Sequence, residues 1–345
     1  MLLIILKMEN NLHHIKIQKS FPSSFFIFLF LWILFSFNTY NADSDNYRNF
    51  YELTKYAKFI YGLEPGFTFF MRFCHKFSFS YTQFCCLYSF IGFCFLWDYI
   101  RRYTKHTSIV LFLYALFPFF FQAVQIRFFM SSMISLWSLH YLIDGKRCGG
   151  IKFFCTIIVA CTFHISSLFY LILCFTCLPM KKMIRYECLI MIISFLMIFV
   201  LRTLKINKLS YYLNSRTRFA TKIFFVIFFI TIIYLVYIII KYKKTGINKF
   251  EVFSCKALIS TIVYFVFIWV SMDFTRPLQT IFINWYILLV NVYSNKRNFY
   301  NKSRNIYLSS ISSILFTLIT IYILAFLFSH TQVESIIYNN SVFKL

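Results

Sequence analysis

Long apolar runs constrain the fold of this chain more than any other feature. Crossing a hydrocarbon core of about 30 Å takes roughly 20 apolar helical residues, and only helices or closed barrels satisfy every backbone hydrogen bond there. Long unbroken runs are typical of helices, so the sequence predicts an all-α, polytopic integral membrane protein with about 10–12 transmembrane helices. The candidate spans are residues 21–39, 81–97, 108–124, 126–143, 151–163, 165–178, 187–201, 222–240, 255–271, 278–294 and 306–328.

The composition excludes a soluble enzyme. Of the 345 residues, 60% are hydrophobic and 13% are charged, whereas a soluble domain has about 45–50% apolar and about 25% charged residues. The 11 Cys are scattered through apolar runs, which does not fit a disulfide scaffold. The sequence contains no Walker loop, no Gly-x-Gly-x-x-Gly and no zinc-binding spacing, so we expect no nucleotide cofactor, no metal and no nucleic-acid partner.

The Lys and Arg residues of short loops predict the orientation in the membrane. Such residues stay on the cytoplasmic side, and Arg101, Arg102 and Lys105 therefore place the N-terminus in the cytoplasm. The stretch 151–178 has two interpretations, one long tilted helix or a hairpin that turns near His164. If this stretch is a hairpin, eleven of the Lys and Arg residues after it lie on the cytoplasmic side and seven on the outer side. This count favours the hairpin, which puts the C-terminus on the outer side.

The predicted spans leave two long outer loops in a single polytopic domain, residues 1–345. Residues 38–80 combine the first outer loop with an amphipathic segment, and residues 202–222 form a second, basic loop. The apolar run that begins at Phe25 has no small-residue cleavage site after it, so we expect a retained helix rather than a cleaved signal.

Acidic residues are scarce and gather on the predicted outer face. The chain has 35 Lys and Arg against 11 Asp and Glu, a formal charge of +24. In the predicted topology six acids lie outside. Five of these are the candidates for a general base: Asp43, Asp45, Glu52, Glu64 and Asp273. The sixth outer acid is Glu334.

The first outer loop offers the main carboxylates for chemistry. Asp43 and Asp45 either solvate the membrane boundary or bind substrate, since a positioned carboxylate is a usual general base. Glu64 either caps a helix that starts near Phe67, after a Pro-Gly turn, or binds sugar hydroxyls and takes a proton from one. The residues alone leave both pairs of alternatives open.

Arg127 and His164 are ionisable residues inside otherwise apolar sequence. Arg127 is either a snorkelling side chain at a helix end or a clamp for phosphate, whose oxygens match a guanidinium that keeps its proton. His164 is either a packing residue or a group that donates to a diphosphate oxygen or shuttles a proton. Arg276 is a second arginine at the predicted outer edge. If its role is purely structural, it pairs with Asp273 where a helix begins.

Several short motifs occur in a recognisable order. They are Asp43-x-Asp45-x-Tyr47, Glu64-Pro65-Gly66-Phe67, Gln125-x-Arg127 at the start of a helix that ends in Tyr141-Leu-x-x-Gly145-Lys146, and Phe163-His164-x-Ser166-Ser167. In this order the chain resembles the EpsG family over about residues 25–180, while residues 181–345 match mainly in hydropathy and in Arg276. The family consists of polytopic bacterial membrane proteins associated with exopolysaccharide and capsule synthesis, and is related in role to Wzy-type polymerases.

The resemblance implies a polymerase at the outer face of the bacterial cytoplasmic (inner) membrane. Its substrates would be undecaprenyl-diphosphate-linked oligosaccharide repeats, and the growing chain would pass from its lipid diphosphate onto the non-reducing sugar of a new repeat. Membrane lipids, a chain-length regulator and the flippase of the same pathway are the implied partners. The reaction needs no cofactor.

The resemblance also implies roles for residues. Arg127, helped by His164, would hold the diphosphate, and Glu64 or Asp43 would orient or deprotonate the acceptor hydroxyl. Substrate-binding roles fall to Asp45, Tyr47, Gln125 and Arg276.

Two other functions are open alternatives. One is a membrane glycosyltransferase that uses a lipid-phosphate sugar donor, with Asp43 and Asp45 as an acidic pair. The other is a flippase or transporter for a lipid-linked oligosaccharide. A transporter is expected to line its midplane with polar groups, and spans that are almost purely apolar disfavour that interpretation.

Overall fold

The described part of the chain folds into helices, most of them joined by short turns. The computed structural model describes residues 21–38, 40–57, 60–145, 148–203, 226, 229, 248–268, 275–294, 330–338 and 340–342, and these contain no strand. The predicted all-α class is therefore confirmed for the described residues. In chain order the helices are α1 Phe21–Ser36, α2 Ser44–Leu53, α3 Pro65–Lys76, α4 Tyr81–Tyr103, α5 Thr107–Leu116, α6 Phe119–Val124, α7 Ile126–Ser138, α8 His140–Asp144, α9 Gly149–Cys161, the 3₁₀ helix Ile165–Cys177, α10 Met180–Thr203, α11 Lys249–Ser260, α12 Ile262–Ile268, α13 Arg276–Ser294 and α14 His330–Ile337.

Three helices in the described part of the chain are long and apolar enough to cross a membrane. They are Tyr81–Tyr103 with 23 residues, Met180–Val200 with 21, and Lys249–Ile268 with 20, the last combining α11 and α12. Shorter apolar helices are Ser23–Ser36, Thr107–Leu116, Gly149–Cys161 and Ile165–Cys177. These helices support a multi-span membrane protein. The number of spans stays a prediction, because 306–328 and nearly all of 222–240 lie outside the described residues.

Two predicted spans are wrong as single helices. Residues 108–124 are divided at Pro118 between α5 and α6, because proline lacks the amide proton that a continuing helix uses. Residues 126–143 are divided at Leu139 between α7 and α8. Both runs are apolar over the predicted length. Hydropathy does not reveal where the backbone hydrogen bonds of a helix are interrupted.

The stretch 151–178 folds as two helices, in agreement with the hairpin interpretation. α9 ends at Cys161, the second helix begins at Ile165, and His164 lies between them in extended backbone. The two helices pack against each other. The second helix has 3₁₀ geometry, so it is longer than an α-helix with the same number of residues.

The predicted first outer loop contains two amphipathic helices. α2 buries Tyr47 and Tyr51, and α3 buries Phe67, Met71 and Cys74 along one face. This spacing of four and then three residues is that of a helix with a single buried stripe. Phe67 packs against aromatic rings of α4, so the loop is held against the bundle rather than extending away from it.

α4 and α13 organise the bundle. α4 packs against α1 and α7, and α13 packs against α5, α7, α11 and the 3₁₀ helix. A capping box starts α4: the Ser80 hydroxyl accepts from the N–H of Gln83 at 3.3 Å, and the Gln83 side chain accepts from the N–H of Ser80 at 2.8 Å. Two N–H groups that have no partner inside the helix are thereby satisfied.

Polar side chains lie in the contact between α7, the 3₁₀ helix and α13. The hydroxyls of Ser131 and Ser167 are 2.6 Å apart, and the Tyr170 hydroxyl donates to Thr280 at 2.6 Å. All four residues are buried and lie in the first halves of their helices, so these contacts join the three helices in the bundle interior. The expectation of almost purely apolar spans is therefore wrong for the bundle interior.

Candidate functional site

An ion pair between Arg127 and Glu64 is the centre of the site. Nη1 of Arg127 donates to Oε2 of Glu64 at 2.7 Å and to the carbonyl of Gly62 at 3.0 Å. The two side chains are 22% and 18% exposed, so water screens the pair only in part. Protein groups hold the guanidinium, which does not fit the interpretation of a side chain that merely snorkels to the interface.

The backbone before α3 explains how Glu64 reaches Arg127. Glu64 occupies the N-cap position of α3, yet its side chain makes no cap hydrogen bond; the expectation that it caps this helix is wrong. Pro65 begins the helix, where its missing N–H leaves no bond unmade. Gly62 has a φ of +87°, a left-handed conformation that glycine adopts without steric cost, and its carbonyl accepts from Arg127.

α3 begins in direct contact with the turn between α9 and the 3₁₀ helix. The N–H of Gly66 donates to the carbonyl of Thr162 at 2.8 Å. A Cβ at Gly66 would lie 2.2 Å from Oγ1 of Thr162 and 2.9 Å from its carbonyl oxygen, so this approach requires glycine. Oε1 of Glu64 also accepts a long hydrogen bond, 3.4 Å, from the N–H of Ile165. Two motifs that are distant in the sequence thus form one structural unit.

His164 caps the 3₁₀ helix as a neutral ring. Its Nδ1 accepts from the N–H of Ser166 at 3.2 Å and lies 2.7 Å from the Ser166 hydroxyl, so the proton of the neutral imidazole is on Nε2. Burial and the charges of Arg276 and Arg127 lower the pKa of His164 to about 3. A proton shuttle needs a pKa near the working pH, and the structure therefore favours the donor role over the shuttle.

Tyr47 joins the ion pair to α2. Its buried ring lies 5.8 Å from the guanidinium carbon of Arg127. Burial raises the pKa of Tyr47; Arg127 and Arg276 oppose the change, and Asp43 adds to it. One buried phenol is thus within electrostatic reach of Asp43, Arg127 and Arg276.

Most of the predicted site residues are close to this centre. Gln125 immediately precedes α7, and its side-chain oxygen is buried with no hydrogen-bond partner in the described part of the chain. Asp45 is exposed in the first turn of α2, where an acid suits the positive end of a helix. The residues that the structure brings together are Asp43, Tyr47, Glu64, Arg127, His164 and Arg276.

The other candidate bases lie elsewhere. Glu52 forms an exposed ion pair with Lys55, and Glu334 is exposed on α14. Asp273, the expected partner of Arg276, lies outside the described residues, as do residues 204–222 of the predicted second outer loop. Among the described candidate bases, Glu64 contacts Arg127 and Asp43 lies within electrostatic reach of Tyr47.

Sequence reasoning missed Tyr88 and the carbonyl of Gly62. Tyr88 is 1% exposed on α4, its hydroxyl has no hydrogen-bond partner among the described residues, and it lies within electrostatic range of Glu64 and Arg127. With 25 Tyr in the chain, no local pattern distinguishes this one. A backbone carbonyl carries no side-chain signal at all.

The arrangement suits an anion with several oxygens. Two guanidinium groups and a neutral imidazole donor match phosphate in charge and in hydrogen-bond geometry. Carboxylates stand beside them, where a hydroxyl could lose its proton. Within the described ranges, no group of three or more His, Cys, Asp or Glu side chains is placed to hold a metal ion.

Comparison with known proteins extends the likeness seen in the motifs. A family model described as the EpsG family matches residues 23–342, nearly the whole chain. No curated protein and no solved structure matches the chain significantly. The matched range includes every site residue from Asp43 to Arg276, although the motifs alone indicated clear similarity only over about residues 25–180.

Proposed function

Because the chain belongs to the EpsG family, we propose that it polymerises polyprenyl-diphosphate-linked oligosaccharide repeats into exopolysaccharide or capsular polysaccharide. Membership indicates a role in polysaccharide biosynthesis, and the apolar helices support a membrane location. The polymerase reaction, the lipid-linked substrate and the outer face of the bacterial cytoplasmic membrane belong to the proposal. Membrane lipids, a chain-length regulator and a flippase are its proposed partners.

The convergence of Arg127, His164 and Arg276 carries this proposal. These residues come from three chain segments, and the charges of both arginines act on the imidazole. Glu64 balances Arg127, and a diphosphate has the charge and the oxygens to engage both guanidinium groups.

The direction of α4 supports an outer location for the site. Tyr81 at its beginning lies beside Arg48 of α2, and Arg101 and Arg102 lie at its other end. A helix of 23 residues is about 35 Å long, which matches the thickness of a membrane. Because arginines in short loops stay in the cytoplasm, we place the site on the opposite, outer side.

In the proposed reaction, a hydroxyl of a new repeat attacks the anomeric carbon of the growing chain. The bond from that carbon to the diphosphate breaks, its electron pair leaves with the diphosphate, and the hydroxyl proton passes to Asp43 or Glu64. Arg127, Arg276 and the Nε2–H of His164 stabilise the negative charge that develops on the leaving group. Loss of one such preorganised donor typically lowers the rate by about 10²–10³.

The lipid-linked pool of cells that depend on this chain for polysaccharide tests the proposal. In Arg127→Ala we expect inserted protein, loss of long-chain polysaccharide, and single repeats accumulating on the outer leaflet. Arg127→Lys should also fail, since an ammonium cannot make the two-point contact of a guanidinium. Normal chain length in Arg127→Ala would exclude the clamp.

Arg102→Ala is the matched control. Arg102 forms an ion pair of the same kind, with Nε donating to Oδ2 of Asp98 at 2.7 Å and both side chains partly exposed, but at the far end of α4. Loss of an arginine–carboxylate pair there should leave chain length unchanged. Equal loss of polymer in Arg102→Ala and Arg127→Ala would indicate general destabilisation.

A flippase is the second candidate function. The buried hydroxyls between α7, the 3₁₀ helix and α13 favour it, since transporters place polar groups near the midplane. In that case, repeats would accumulate on the inner leaflet when the chain is lost. A glycosyltransferase with a lipid-phosphate sugar donor is distinguished by its product, because it adds single sugars and makes no ladder of whole repeats.

A further inference from the structure

Glu64 is bound to Arg127, the side chain to which the proposed function assigns a phosphate. Its Oε2 accepts from Nη1 of Arg127 at 2.7 Å, and the pair is mostly shielded from water. Nε of the same guanidinium is buried and has no hydrogen-bond partner among the described residues. Arg127 therefore holds one carboxylate oxygen while keeping a further donor for another acceptor.

We propose that the incoming diphosphate displaces Glu64 from Arg127 and thereby releases this carboxylate as the base for the acceptor hydroxyl. The inference rests on the proposed function and adds an order of events to it, with the donor lipid binding before the base becomes available. Arg127 exchanges one anion for another, so its partly buried charge is never left without a partner.

The surroundings of Glu64 permit this exchange without unfolding. The side chain makes no cap hydrogen bond to α3, and its second contact, to the N–H of Ile165, is long at 3.4 Å. The backbone on both sides is fixed, since Leu63 donates to the carbonyl of Ile60 at 3.1 Å and Gly66 donates to that of Thr162 at 2.8 Å. Rotation of one side chain is enough to change its partner.

The exchange makes the base available only after the donor lipid has bound. While Arg127 holds Glu64, its guanidinium engages Oε2, the carboxylate oxygen that would accept the hydroxyl proton. Once the diphosphate has replaced it, Glu64 accepts the hydroxyl proton as the new glycosidic C–O bond forms. The C–O bond to the diphosphate breaks at the same carbon, and its electron pair leaves with the diphosphate on Arg127.

Binding of inorganic pyrophosphate to the full-length protein in nanodiscs, measured by calorimetry, tests the exchange. Glu64→Gln keeps the shape of the side chain and removes its charge, so we expect binding at least about tenfold tighter than that of the wild type. Polymer formation should fall in the same variant, because an amide does not accept the proton. Glu52→Gln removes an exposed carboxylate paired with Lys55 and should bind as the wild type does.

The possible results separate this inference from the proposed function. Equal or weaker binding by Glu64→Gln, with binding abolished in Arg127→Ala, overturns the exchange and leaves the clamp in place. Binding that survives in Arg127→Ala, or that is absent from both the wild type and Glu64→Gln, overturns the clamp and the exchange with it.

A second measurement uses only the wild-type protein and so does not depend on the folding of a variant. Carboxylates are coupled with a carbodiimide and an amine, and the labelled residues are counted by mass spectrometry. Pyrophosphate should raise the labelling of Glu64 and leave that of Glu52 unchanged. Protection of Glu64, or no change in its labelling, contradicts displacement.

Discussion

His164→Gln tests how the charges of the site act on one another. In the folded protein, burial and the charges of Arg276 and Arg127 lower the pKa of His164 from 6.5 to about 3. Between these pH values the unfolded chain binds a proton that the folded protein does not. The stability is therefore complete above about pH 6.5 and falls as the pH decreases toward 3.

The size of the effect follows from the two pKa values. At pH 5 the imidazole of the folded protein is still neutral. The imidazole of the unfolded chain is protonated, because pH 5 is about 1.5 units below its pKa of 6.5. Each tenfold preference for the protonated form is worth about 1.4 kcal/mol, so the free energy of unfolding should be about 2 kcal/mol lower at pH 5 than at pH 7.5. Glutamine can accept from the N–H of Ser166 but does not titrate, so His164→Gln should lack this loss.

Unfolding of the full-length protein by SDS in mixed micelles, at pH 7.5 and pH 5, measures the difference. The wild type should lose about 2 kcal/mol more than His164→Gln between the two pH values, because every other titratable group contributes to both proteins. NMR of ¹⁵N-labelled histidine should find the His164 ring neutral at pH 5, with its proton on Nε2. A His164 signal that titrates near pH 6.5, or the same pH dependence in both proteins, would refute the reasoning.

Three substitutions test the supports of the site and of the bundle by thermal unfolding in detergent. Gly66→Ala should cost about 1–3 kcal/mol because its Cβ meets the turn at 162–164, whereas Gly150→Ala, whose Cβ meets nothing within 4 Å, should not lower the melting temperature. Ser80→Ala removes the capping box of α4 and should cost about 0.5–2 kcal/mol; an unchanged melting temperature would mean that water replaces the cap. Ser260→Ala takes the hydroxyl donor from the buried carboxylate of Glu187 and should cost about 1–3 kcal/mol, and no loss would show that Glu187 has a second partner.

The membrane explains why residues that are close together in the structure could be grouped from the sequence. Ends of apolar segments must lie at one of two surfaces, so Arg127, His164 and Arg276 were placed on the same side by counting spans alone. The turn near His164 followed from the same argument, since the charge counts favoured a hairpin there. The division of α5 from α6 did not follow, because a proline within an apolar run changes the hydrogen bonding while leaving the hydropathy intact.

The amino-acid sequence is enough to show that this chain is helical, that it suits a membrane, and that it belongs to the EpsG family. These properties depend on apolar length and on the order of short motifs, which are local. The pairing of Glu64 with Arg127 instead of a cap on α3, and the lowered pKa of His164, became apparent only from the fold. An ion pair and a pKa depend on distance, burial and neighbouring charge, and the neighbours of these residues come from segments far apart in the chain.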